Sequence, residues 1–141
     1  MNGLAPGVGK DVLILLARIL LVLLFLIFGW NKLTDYPGAV AYMQMTGAPA
    51  PHLSAIIAVV MELGVGIAIL VGIFTGPFAL LLALYSIATA YIGHHYWTMT
   101  GVERFEAEIN FYKNVSIAGG LLLLFVEGPG RLSIDALVRR G

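Results

Sequence analysis

The chain contains no cysteine. That removes a disulfide framework, a thiol relay, iron–sulfur ligation and any Cys-bound metal. Charge is nearly as scarce. Only 11% of the 141 residues are Asp, Glu, Lys or Arg, where a soluble domain carries about 25%. Eight basic and eight acidic residues cancel, so there is no basic stripe of the kind that nucleic acid requires. What fills the chain is apolar: 60% hydrophobic residues and a mean hydropathy of +0.93. The length is that of one domain, and the composition is that of a membrane protein.

Four apolar segments are long enough to cross a bilayer, which takes about 20 residues. They are expected at about 11–32, 53–73, 77–96 and 109–126. Residues 1–10 read as a Gly/Pro-containing tail. The run Val12–Trp30 is longer than the apolar part of a signal peptide and no small-x-small cleavage site follows it, so it is expected to be a retained helix. Residues 33–52 are too polar to span. Within them Gly38–Thr46 fits a short interfacial helix, with Pro37 suited to its first turn. The turn Gly72–Pro77 forces the second and third spans to be antiparallel neighbours, and 98–108 reads as a polar loop. Gly128-Pro129-Gly130 stops the fourth span, and Leu132–Arg140 reads as a short amphipathic piece on the membrane surface. The fold class is therefore all-α: a polytopic four-helix membrane bundle with a short C-terminal amphipathic helix. Four spans place both termini on one side. Lys10, Arg131, Arg139 and Arg140 lie there against Lys32, Arg104 and Lys113 opposite, which favours cytoplasmic termini.

Arg18, Glu62 and Lys113 interrupt three of the four spans. An ionisable group at membrane depth costs roughly 2.5–3.5 kcal/mol on insertion scales and marks a site or a buried pair. Helical spacing puts Arg18, Val22, Phe25, Gly29 and Lys32 on one stripe. Glu62 shares its face with Ala55, Ala58 and Gly66, small residues that let membrane helices approach, so Glu62 is expected to point into the bundle. Asn110, Lys113 and Asn114 form a third stripe. By helical rise Arg18 and Glu62 lie about 8 Å apart in depth, which leaves an Arg18–Glu62 pair open. Lys32, Asn31, His94, His95, Asn110, Lys113 and Asn114 all fall toward the outer end and are expected to ring a polar pocket above Glu62. Against this, Lys32 and Lys113 could simply snorkel to the headgroups, and Arg18 could serve assembly alone. Two adjacent histidines point about 100° apart, and no metal site is expected from them.

Together these pieces resemble the DoxX family of small bacterial four-helix membrane proteins. The resemblance rests on Arg18 with Phe25-x-x-x-Gly29-x-x-Lys32-Leu33, and on Glu62-x-Gly64-x-Gly66-x-x-x-Leu70-x-Gly72. It continues through His94-His95 with Trp97, Asn110-Phe111-x-Lys113-Asn114, Gly119-Gly120 and Gly128-Pro129-Gly130-x-x-Ser133-Ile134-Asp135. It covers Leu16 to Leu137. The resemblance implies a bacterial inner-membrane protein whose relatives include small subunits associated with quinone-linked oxidoreductases. It places family motif positions at Arg18, Lys32, Glu62, His94, Asn110, Lys113 and Asn114.

Three functions follow as expectations. The first is a redox-associated subunit that holds a quinone or similar amphiphile. Lys or His would donate to its oxygens, Tyr85, Tyr91 or Trp97 would flank its ring, and Glu62 would relay protons as the catalytic residue. The chain has no haem pattern and no Rossmann fingerprint, so electrons would come from a partner redox protein or from the quinone itself, and no intrinsic cofactor is expected. The second is a small-solute or proton-coupled carrier, disfavoured because no internal repeat or broken helix is read. The third is a non-catalytic assembly or partner-binding protein. Small-residue faces left over by four helices suit a homo-oligomer or a complex subunit.

Overall fold

A computed structural model describes residues 7–141 of the chain. Its elements run α1 Val8–Thr34, α2 Tyr36–Met45, α3 Pro51–Val71 and α4 Thr75–Gly93, then α5 Gly101–Glu127 and α6 Ile134–Val138. Four helical stretches, α1, α3, α4 with the turn that follows it, and α5, are long and apolar enough to cross a membrane. The protein is an all-α polytopic membrane protein. The expected tail falls partly outside the described residues (1–6), and Val8, Gly9 and Lys10 already belong to α1.

The helices assemble around one apolar core. Val22 and Phe25 of α1 meet Val65 and Ile69 of α3, Ala79, Leu82 and Ala83 of α4, and Ala118, Leu121 and Leu124 of α5. Alanines recur because lipid tails are as apolar as leucine, so helix association depends on close backbone approach and dispersion. α4 and α5 form the most intimate pair, α1 lies mainly on α3, and α1 and α5 touch sparsely. That uneven packing leaves the cleft described below. α2 caps the end of the bundle away from the C-terminal helix, packing Ala39 and Val40 against Ala55 of α3. Its N-terminus is closed by the Asp35 carboxylate, which accepts from Gly38 N–H at 3.1 Å, and Pro37 occupies the first turn.

Two elements differ from the sequence reading. The stretch 98–108 was expected to be a loop, but after a single 3₁₀ turn at Tyr96–Thr98 the chain re-enters helix at Gly101. Glu103, Arg104 and Glu106 all sit exposed on α5. Their polarity argued against a membrane span, and it does not oppose a helix that continues into water. α3 was expected to be an uninterrupted α-helix, but it widens to π-helical hydrogen bonding over Val60–Val65. Such widened turns shift the register of side chains and occur often at functional sites.

Candidate functional site

Glu62 sits inside the π-helical stretch and is 6% exposed. Its two carboxylate oxygens have different partners. Lys32 Nζ of α1 donates to Oε1 at 3.0 Å, and Tyr85 Oη of α4 donates to Oε2 at 2.8 Å. The triad thus ties three spans together at one depth. Gly29 makes it reachable. A Cβ at that position would stand 2.8 Å from Leu63 N and 3.0 Å from Glu62 Cβ, so only glycine lets α1 close onto α3. Lys32 lies one turn further along the same face and reaches Glu62 from there. Phe28 lies beneath the ammonium, 5.8 Å from ring centroid to Nζ.

Further polar contacts lie between α4 and α5. Thr89 is one turn beyond Tyr85 on α4, and it accepts from Asn114 Nδ2 at 3.2 Å while donating to Ser86 O at 3.1 Å. Lys113 Nζ donates to Asn110 Oδ1 at 2.9 Å and has no carboxylate partner among the described residues. His94 terminates α4, half-buried and within electrostatic reach of Lys113. Lys32 pairs with Glu62, Lys113 with Asn110 and Asn114 with Thr89, and among the described residues no hydrogen bond or ion pair joins these into the one polar pocket expected above Glu62. His94 lies nine residues beyond Tyr85 along α4, about 13 Å of helix. Tyr91 and Trp97 lie tilted against each other with ring centroids 5.4 Å apart, both exposed near the end of α4.

Arg18 joins none of these contacts. It is 1% exposed and sits toward the opposite end, where Nη1 donates to Pro129 O at 3.1 Å and Nη2 to Leu132 O at 2.6 Å. No Arg18–Glu62 pair forms. Arg18 instead clamps the segment between α5 and α6 against the bundle. Asp11 reinforces the clamp, accepting from Arg131 N–H at 2.9 Å and from Arg131 Nε at 2.6 Å. Asp135 completes it. Its carboxylate accepts from Phe74 N–H at 2.9 Å and Thr75 N–H at 3.0 Å, where the free amides of the α4 N-terminus favour a negative charge. Gly72, at φ +79°, lies where a Cβ would collide with the Arg18 guanidinium and with Ser133. Tyr85 as a partner of Glu62, and Asp11 and Asp135 as clamps, were not foreseen in these roles. Acids just inside or just after helix ends were the available signal.

Between α1 and α5 runs a cleft of about 650 Å³. Its walls are apolar, from Leu13, Ala17, Leu20 and Leu24 on one side to Ile117, Gly120 and Leu123 on the other, with Lys113 at one end and Lys10 and Glu127 at the other. Lys10 and Glu127 form an ion pair. From Glu127 to Lys113 the cleft follows α5 for about 21 Å.

Fold and site define the class: a small polytopic membrane bundle carrying a buried Lys–Glu–Tyr triad and a lipid-facing cleft. Residues 13–95 match the family model for DoxX. The chain is 54% identical to the inner membrane protein YphA of Escherichia coli strain K12 over 129 residues, covering 92% of both. It is 40% identical to the inner membrane protein YqjF of the same strain over 131 residues, covering 93% of this chain and 95% of that one. The chain belongs to the DoxX family. No solved structure matches it.

Proposed function

We propose that the protein is a membrane subunit that holds a quinone-class amphiphile in the cleft between α1 and α5, with the ligand's head group at Lys113. The observation that carries this reading is the cleft itself. Its volume of about 650 Å³ lies in the range of small-molecule sites. Its long apolar walls suit an isoprenoid tail, and its one cation at depth suits a carbonyl oxygen. The Lys113 ammonium has three N–H donors, of which Asn110 takes one. Reducing a quinone takes two electrons and two protons. In this reading a partner redox protein supplies the electrons, and the layer containing Glu62 and Tyr85 holds protons near the ligand. The protein works in the bacterial inner membrane, the location named for its relatives YphA and YqjF, with both termini cytoplasmic. C-terminal reporter fusions active only in the cytoplasm would agree with that orientation.

The test is titration of the full-length protein in nanodiscs with a short-tailed ubiquinone analogue. Lys113→Met removes a charge-assisted hydrogen bond worth about 1.5–3 kcal/mol, so affinity should fall at least tenfold. Gly120→Leu should abolish binding, because even a Cβ there would sit 2.8 Å from Leu21 Cδ2. Unchanged binding in both variants would remove the cleft from the argument.

A second reading, assembly without chemistry, is favoured by one observation: both Glu62 oxygens are already occupied by protein donors. A Glu62→Gln variant that folds and keeps full redox-linked turnover would select it.

A further inference from the structure

α5 has a second face that no other helix of the bundle covers. Its inward face buries Ala107, Ala118, Leu121 and Leu124 against the bundle. On the opposite side Val102, Phe105, Ile109, Tyr112, Ser116, Gly119, Leu123 and Val126 are all exposed. Their spacing alternates strictly between three and four residues along the helix. That is the a/d seam of a heptad repeat, the pattern that seats one helix against another in a left-handed coiled coil.

Lipid explains the exposure of the seam inside the bilayer. It does not explain the outer part. α5 has 27 residues, which is about 40 Å of helix, and the hydrocarbon core is about 30 Å thick. About two turns therefore extend past it, in the stretch that carries Glu103, Arg104 and Glu106. There Val102 remains 73% exposed and Phe105 64% exposed.

Charge identifies the occupant. With Val102 and Ile109 at a positions, and Phe105 and Tyr112 at d positions, Glu108 falls at g and Lys113 at the following e. In a parallel pair of identical helices these are the positions that meet across the seam. Within the protomer neither Glu108 nor Lys113 has an ion-pair partner among the described residues. Both line one shallow groove of about 580 Å³ beside Phe105, Ile109, Tyr112 and Ser116. Two copies inserted with the same topology present parallel helices, and a two-fold axis along the seam makes the interface self-complementary. Ser116 and Gly119, at the next a and d positions, permit close approach below the charged pair. The geometry points to a homodimer in which α5 packs on α5 of a second copy, held in register by two symmetric Glu108–Lys113 ion pairs.

The absence of cysteine makes the test direct. Single cysteines are placed at Val102, Phe105 and Arg104 in the full-length chain, and the protein is oxidised in proteoliposomes. Val102→Cys and Phe105→Cys should cross-link to a dimer at least tenfold faster than Arg104→Cys, which sits on the flank. In the Phe105→Cys background, Glu108→Lys or Lys113→Glu alone should slow cross-linking, and the two together should restore it, because the swap rebuilds the pair with reversed sign. Cross-linking at Arg104→Cys as fast as at Phe105→Cys would overturn the seam. Failure of the swap to restore the rate would overturn the charge register. A different protein trapped at Phe105→Cys in native membranes, in place of a second copy, would overturn the homodimer.

Discussion

Gly29 of α1 and Glu62 of α3 touch without a side chain between them. A Cβ at Gly29 would lie 3.0 Å from Glu62 Cβ, and the Lys32–Glu62 contact of the buried triad depends on that approach. Gly29→Ala forces the helices apart or strains the π-helical stretch. Overpacking of this kind costs about 1–3 kcal/mol. The thermal midpoint in detergent should fall, while Gly64→Ala, where an added Cβ meets nothing within 4 Å, should leave it unchanged or slightly raised.

Lys32 and Glu62 are matched charges inside the bundle, with side chains 19% and 8% exposed. Removing one strands the other, at about 3 kcal/mol. Glu62→Met and Lys32→Met should each destabilise strongly, and the double variant should be less destabilised than the sum of the two. Unfolding free energies in a double-mutant cycle check this. Strict additivity would mean that the pair contributes nothing to the fold.

Arg18 acts through its planar fork, one nitrogen to each of two backbone carbonyls. Lysine keeps the charge and loses that geometry. Arg18→Lys should therefore release the segment between α5 and α6 almost as fully as Arg18→Ala. Trypsin cleavage after Arg131 reports the release, and hydrogen exchange across Gly128–Ser133 should rise in parallel.

Asp135 carries a pH dependence of known sign. Partial burial works against its charge, but the Thr75 and Phe74 amides outweigh that and hold its carboxyl below the ordinary value of 3.8. A group whose pKa is lower in the folded state stabilises fully above its unfolded value, and loses that contribution as pH falls through the folded one. Docking of α6 should be constant from neutral pH down to about pH 4 and weaken below it. Asp135→Asn should loosen the segment at neutral pH and flatten the acid dependence, as read by protease accessibility.

Hydropathy and helical period made the four spans, the capping helix α2 and the inward direction of Glu62 legible in the chain, because those properties are local. Length and apolar content decide what enters a bilayer, and a 3.6-residue period decides which face a carboxylate shares with small residues. Partner choice is not local. Arg18 and Glu62 looked close in depth, yet Arg18 bonds Pro129 and Leu132, more than a hundred residues away in sequence, while Glu62 takes Lys32 and Tyr85. Only packing decides that, since the contact between Gly29 and Glu62 fixes which cation reaches the carboxylate first. The outward extension of α5 also needed the tertiary structure. Charged residues between apolar runs read as a loop in the chain, and Tyr96 and Trp97, each edge-to-face with Phe111, with Arg104 over the Tyr96 ring, dock the preceding turn against α5.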